Sequence, residues 1–338
     1  MSGTLGAGSA GHRIVTVQER IVAVVGYDHA ELLDIACVTT TLSMANLMGA
    51  QQPYRLVFAT QAGRAIDLHS GLALTGQRSL ERLTGPLDTL IVSGGLGYHV
   101  AAADQRLVGH VRRLATESRR VASVCTGATI LAAAGLLDGK RATTHWRYAA
   151  QLAGRYPKVT VDPRPIYTRD GNVWTAAGVT SALDLALAFV EDDHGADLAR
   201  DVSRYLVTYL QRPGTQAQMS IFTAAPPPEH DLVREVVDYI AGHPDVDLSA
   251  TALAAHAGVS TRHLTRLFLN HIGQSPGRYV RRVRAEAAAN LLTATTLPMT
   301  GVARRCGFRS AEALRVAFTQ VYGTTPARYR AARPDPAR

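Results

Sequence analysis

One cysteine stands where a side chain could be made to react. The apolar run Arg120 to Val124 passes without a spacer into Cys125-Thr126-Gly127-Ala128 and then into a helical pattern. A side chain at such a tight strand-to-helix turn is held out at the carboxyl edge of a sheet, the logic of a nucleophile elbow. It also sits at a helix N-terminus, whose partial positive charge favours a thiolate. The plainer reading is a small buried residue, the role expected of Cys37 and Cys306. Local sequence leaves both open. Three scattered cysteines are too few for a disulfide framework or a four-ligand zinc site, so neither metal nor cofactor is expected.

The second chemistry is arginine and its placement. Of 36 basic side chains only Lys140 and Lys158 are lysines, so 34 are arginines. Residues 1–228 hold 21 basic and 18 acidic side chains, and residues 229–338 hold 15 and 9, which puts +6 of the net +9 in the last third. That last third repeats itself. Gly258 and Gly307 are 49 apart; beyond a one-residue insertion at Arg309 the offset becomes 50 and holds for Ser260/Ser310, Leu264/Leu314, Phe268/Phe318, Gly273/Gly323, Pro276/Pro326, Arg278/Arg328 and Tyr279/Tyr329. One offset kept across these pairs means two copies of one supersecondary unit.

Each copy has the logic of a helix-turn-helix. A short helix (Ala250 to His256, or Thr300 to Cys306) ends at a glycine, and a serine (Ser260 or Ser310) then caps a second helix. In the first copy Leu264, Leu267 and Phe268 are expected inside, with Arg262, His263, Thr265 and Arg266 on the open face. In the second copy Leu314 and Phe318 are expected inside, with Ala311, Glu312 and Arg315 open. Helices of this kind fit the major groove, where arginine reads guanine and a carboxylate accepts from cytosine. The bland alternative is a helical interaction domain with a solvated basic face.

The elements that must position these residues divide the chain in two, as 338 residues suggest. Strand-like Arg20 to Gly26, Tyr54 to Ala59, Asp88 to Val92, Arg120 to Val124 and Val173 to Ala176 alternate with helix-like Leu32 to Met48, Gln105 to Ser118, Thr126 to Leu136 and Val179 to about Asp192. That alternation predicts an α/β doubly wound, mainly parallel sheet over 20–211. A Pro/Gly-rich stretch at 212–229 reads as a linker, and 230–332 reads as all-α; flexible tails are expected at 1–19 and 333–338. The first 13 residues lack the apolar core of a signal peptide, and the uncharged run Val121 to Leu137 is too polar for a membrane span, so a soluble cytoplasmic protein is expected.

Residues 230–332 resemble the AraC/XylS family of transcription regulators. The motifs are Leu253-Ala254 with Gly258-Val259-Ser260, Gly273-Gln274-Ser275-Pro276, Arg284, Val302-Ala303 with Cys306-Gly307-Phe308, and Gly323 to Tyr329. The resemblance implies two helix-turn-helix units joined by a long helix (about Pro276 to Thr293), entering successive major grooves. Val316 stands where the second copy would match Arg266, so the first unit is expected to dominate base readout. Arg281, Arg282 and Arg284 are expected to contact phosphate or form internal ion pairs.

Residues 20–200 are similar to the ThiJ/PfpI branch of the class I glutamine-amidotransferase-like superfamily, through Leu33-Asp34-Ile35-Ala36, Ser93-Gly94-Gly95, Ser123 to Ala128 and Ala142-Thr143-Thr144-His145-Trp146. The resemblance implies a site of Asp34, Gly94, Gly95, Cys125, Thr126 and His145. In it Asp34 is the acidic partner of the cysteine, and Gly94 and Gly95 offer oxyanion-type donors. His145 either lies near the cysteine or caps the following helix. Thr126 replaces the histidine that follows the cysteine in peptidase members, which argues against peptidase chemistry.

The two domains in this order are the arrangement of GlxA-like transcription regulators. The resemblance implies a sequence-specific DNA-binding regulator whose first domain senses a small nitrogenous metabolite. The partners implied are a double-stranded DNA operator, that effector and a second copy of the chain, with RNA polymerase left open and no membrane. The alternative is a cysteine-dependent hydratase or hydrolase, similar to isonitrile hydratases and fused to a DNA-binding domain, with Cys125 as nucleophile and Asp34 as base.

Overall fold

A computed structural model describes residues 18–208, 212, 214, 216–218 and 230–331; the tail at 333–338 and all of 1–19 but its last two residues lie outside them. In chain order the first half contains β1 (Arg20–Val25), α1 (Leu32–Leu47), β2 (Tyr54–Thr60), a hairpin of β3 (Ala65–Asp67) and β4 (Ala73–Thr75), β5 (Arg78–Ser79) and β6 (Leu87–Val92). Then follow α2 (Tyr98–Ala103), α3 (Gln105–Thr116), β7 (Ser118–Val124), α4 (Gly127–Ala133), β8 (Arg141–Ala142), α5 (Ala149–Arg155), β9 (Thr160–Val161), β10 (Tyr167–Asp170), β11 (Val173–Ala176), α6 (Ser181–His194) and α7 (Ala196–Tyr205).

Seven strands form one sheet in the order β10-β11-β7-β6-β1-β2-β5. Every pairing in it is parallel except β10 with β11. The apolar runs Ile21–Val25 of β1 and Leu90–Val92 of β6 follow from burial on both faces. One face packs Leu107, Val111 and Leu131 from α3 and α4; the other packs Val38 and Leu42 from α1 with Leu185 and Phe189 from α6. At the amino end of the sheet, fully buried Arg120 bonds Asp193 at 2.6 Å and lies 4.1 Å from the Phe189 ring, which ties the end of α6 to β7.

Of the boundaries that depart from the sequence pattern, three have a visible reason. The third helix stops at Thr116, because Ser118 already pairs with Leu87 in the sheet. Helix α4 ends at Ala133, and Gly135 beyond it turns with φ 75°. Helix α6 begins at Ser181 rather than Val179, because Val179 is held at φ 51°. Such a value lies outside the right-handed helical region for any residue and is rare for a β-branched one.

The second half is helical throughout its described residues: α8 (Asp231–Gly242), α9 (Ala250–His256), α10 (Thr261–Ile272), α11 (Pro276–Ala294), α12 (Met299–Arg305), α13 (Ala311–Tyr322) and α14 (Pro326–Ala331). The repeat is visible in three dimensions. Gly273 and Gly323 end α10 and α13 in left-handed geometry, and Phe268 meets Tyr279 edge-on as Phe318 meets Tyr329. Helix α11 serves two cores. Its Tyr279, Val280 and Val283 pack with Leu264 and Phe268, while Ala288, Ala289 and Leu292 pack with Leu314 and Phe318. Between them Arg284 donates from Nε to the Pro244 carbonyl (2.8 Å) and from Nη2 to the Val246 carbonyl (2.7 Å). It is an internal clamp on carbonyls, and neither a phosphate contact nor an ion pair is needed to explain it.

Candidate functional sites

Cys125 directly follows β7 and precedes α4, and it adopts φ 53°, the strained geometry expected of an elbow. Its amide donates to the Ala176 carbonyl (2.9 Å), and its own carbonyl accepts from Thr144 Oγ1 (2.7 Å). The side chain is only 7% exposed. Two main-chain segments close over it. A Cβ on Gly178 would fall 2.8 Å from the Cys125 Sγ, and one on Gly94 would fall 2.7 Å from Asp34 Oδ2, so neither glycine has room for a side chain.

Asp34, in the first turn of α1, is buried beside this pair. Its Oδ2 accepts from the Gly94 amide (3.1 Å) and its Oδ1 from the Val179 amide (2.7 Å). Burial nonetheless dominates and pushes the carboxyl up to about 7. The Cys125 thiol is pushed up to about 12, first by burial and then by the Asp34 charge. Of the two readings the sequence leaves open, this favours the buried thiol over the thiolate. The helix N-terminus is present, but desolvation outweighs it and the sulfur stays protonated.

The oxyanion expectation is corrected. The Gly94 amide already serves Asp34, and the Gly95 amide donates to Thr126 Oγ1 (2.9 Å). Thr126 in turn donates to the Gly95 carbonyl (2.9 Å), so its hydroxyl pins the glycine turn. His145 is not brought against the sulfur. Its Nδ1 accepts from the Arg147 amide (3.3 Å) and its ring stacks on Trp146, which is the capping role. Thus Asp34, Gly94, Gly95, Cys125 and Thr126 converge, and His145 bonds and stacks within its own loop instead. Sequence reasoning missed Gly178, Val179 and Thr144. The Ala-Ala-Gly run ahead of α6 was the available hint for the first two. Among the described residues no cluster of three or more His, Cys, Asp or Glu could hold a metal ion, and no helix is long and apolar enough to cross a membrane.

In the second half each recognition helix starts at its serine. Ser260 Oγ accepts from the His263 amide (3.2 Å), and Ser310 Oγ from the Ala313 amide (3.1 Å). Arg262 and Arg266 are exposed, His263 and Thr265 half-buried, on the face opposite Leu264 and Phe268. In the second copy Ala311 is half-buried, and exposed Arg315 is held by Glu312 through Nε and Nη2 (2.7 and 2.6 Å). Arg266 instead touches His263 Nδ1 at 3.0 Å.

Residues 20–192 match the DJ-1/PfpI family, and residues 253–332 match a helix-turn-helix domain. The HTH-type transcriptional regulator GlxA of Rhizobium meliloti is 31% identical over 299 residues, spanning 87% of this chain and 90% of that protein. An isonitrile hydratase of Pseudomonas putida is 41% identical over 120 residues, only 36% of this chain and 51% of the enzyme. A ThiJ/PfpI family protein from Pseudomonas syringae shares the fold with a TM-score of 0.53 at 24% identity, over 76% of this chain and 98% of its own.

Proposed function

Because the chain belongs to the DJ-1/PfpI family and joins that domain to an AraC-type helix-turn-helix domain, as GlxA-type regulators do, we propose that it regulates transcription in answer to a small molecule bound at the Cys125 turn. It is a DNA-binding transcription regulator. The hydratase alternative is set aside: the likeness to that enzyme stops at 36% of this chain, the thiol is held protonated, and the glycine amides that would stabilise an oxyanion are engaged.

The single observation behind the sensing role is a protonated sulfur beside a buried carboxyl under two glycines, which suits binding better than reaction. The effector is a small nitrogenous metabolite, contacted by Asp34, Gly94, Gly95, Cys125 and Thr126. Arg262, His263, Thr265 and Arg266 read one major groove, and Ala311, Glu312 and Arg315 read the next. The chain acts in the cytoplasm as a homodimer on double-stranded DNA, with residues 20–211 as the sensor and 230–332 as the reader.

A thermal-shift screen of the full chain against amino acids and betaines tests the sensing role, with Cys125→Ala alongside. A ligand at about 100 times its dissociation constant stabilises a fold by about 2.7 kcal/mol. A shift weakened in the variant, with the compound recovered unchanged, supports the reading. Recovery of a product, or an equal shift in the variant, refutes it. DNA affinity must fall steeply as salt rises, because phosphate contacts release counterions.

A further inference from the structure

The linker does not leave the sensor domain at once. Of its residues, Arg212, Gly214, Gln216, Ala217 and Gln218 are described, and they lie along the outer edge of the sheet. The Ile166 amide donates to the Gln216 carbonyl (2.9 Å), the Tyr167 amide to the Gly214 carbonyl (3.3 Å) and the Gln218 amide to the Arg164 carbonyl (2.8 Å). Pro165 and Ala217 form an antiparallel bridge. The segment augments the edge at β10 by main-chain pairing, the way an added strand binds.

Two side chains of this strap reach the turn at Gly178 that closes over Cys125 and the 143–146 loop that bonds the Cys125 carbonyl. Arg212 donates from its amide to Asp184 Oδ1 (2.8 Å), from Nε and Nη2 to Oδ2 (2.9 and 2.6 Å), and from Nη2 to Thr180 Oγ1 (3.1 Å). Asp184 is 2% exposed and lies in the first turn of α6, directly after the Gly178–Thr180 turn whose Val179 amide holds Asp34. Gln218 grips the 143–146 loop. Its Nε2 donates to the Thr144 carbonyl (2.8 Å) and its Oε1 accepts from the Trp146 amide (2.8 Å), while Thr144 Oγ1 bonds the Cys125 carbonyl.

We propose that this strap and the Cys125 turn are mechanically coupled, so that the start of the linker moves with the cysteine site, with Arg212 and Gln218 as the positioning residues. A molecule that enters against the sulfur from the Gly178 side must displace the 178–180 turn, and a shift of Cys125 itself is felt by the 143–146 loop through its bond to the Cys125 carbonyl. Each displacement pulls on a strap side chain and so on the edge pairing of residues 214–218. Coupling of this kind is reciprocal: loosening the strap loosens the pocket. The inference rests on the sensing role above for its purpose, but its mechanics can be tested with no effector at all.

In the full-length protein, iodoacetamide labelling of the Cys125 peptide is followed by mass spectrometry for wild type, Gln218→Ala and Arg212→Ala, with Arg200→Ala on α7 as control. The coupling predicts labelling faster by about tenfold in both strap variants, with the control at the wild-type rate, because local opening exposes the thiol. Wild-type rates in both strap variants overturn it. Gly178→Ala works from the other side, by crowding the sulfur. Faster hydrogen exchange at the Ile166 and Gln218 amides supports the coupling, and unchanged exchange there overturns it. If the metabolite screen fails while these rates move, the sensing role falls and the coupling stands; the converse result separates them the other way.

Discussion

Asp34 allows a quantitative test of how the pocket is built. Its carboxyl is raised from the ordinary 3.8 to about 7 by burial, so the folded protein holds a proton that the unfolded chain has released. Below about pH 4 both states are protonated and the group costs nothing. Between about pH 4 and pH 7 the unfolded chain ionises first, so stability falls as pH rises and then levels off. Roughly three pH units at about 1.36 kcal/mol each give a loss of about 4 kcal/mol. Asp34→Asn cannot titrate. The stability of Asp34→Asn minus that of wild type should therefore climb by about 4 kcal/mol between about pH 4 and pH 8, and all other titrations cancel in the difference. Urea unfolding read by tryptophan fluorescence is suited to this, because the chain has two tryptophans and both, Trp146 and Trp174, lie in the sensor half. Two curves that stay parallel across that range would refute the assignment of a desolvated carboxyl.

Three further outcomes are expected. With its thiol pushed from the ordinary 9.0 to about 12, wild-type Cys125 should alkylate near neutral pH about a thousandfold more slowly than an unperturbed thiol; labelling at the rate of a free thiol would contradict that burial. Gly307→Ala should destabilise the reader more than Gly258→Ala by calorimetry. Both positions have positive φ, at a cost of about 1–2 kcal/mol for a side chain, but only at Gly307 would a methyl also meet the Pro244 carbonyl and lie 2.7 Å from Arg284 Cζ. Equal losses would show that the inter-unit contact is slack. Arg266→Ala should weaken operator binding by about 1–3 kcal/mol in gel shifts, and Arg315→Ala by less, because Glu312 already holds Arg315; the reverse order would refute the first unit's dominance.

The parallel core was legible because the doubly buried stretches of its strands, such as Ile21–Val25 and Leu90–Val92, must be apolar. The edge strand Tyr167–Asp170 was not, since its half-exposed, mixed residues carry no period. The same cause hid the docking of the linker: proline and glycine announce a boundary but not the strand edge beside it. Within the site, Cys125, Asp34 and the Gly94–Gly95 pair could be read from type and spacing. The Val179 amide and the Gly178 close approach could not, because they are main-chain contacts made by residues more than 50 positions beyond Cys125. Burial is also what decides between the thiolate and the buried thiol at Cys125, and no local window reports it.

The division of α11 between two cores bears on how such a reader can diverge. Since Leu264 and Phe268 are buried with one half of the helix, and Leu314 and Phe318 with the other, each unit's solubility and folding answer mainly to its own interior. A change on one recognition face then leaves the opposite unit's stability nearly untouched, as separated sites contribute additively. One copy can carry Arg266 and the other Val316 without any compensating substitution. A duplicated module on a common shaft is thereby free to become two different letters of one word.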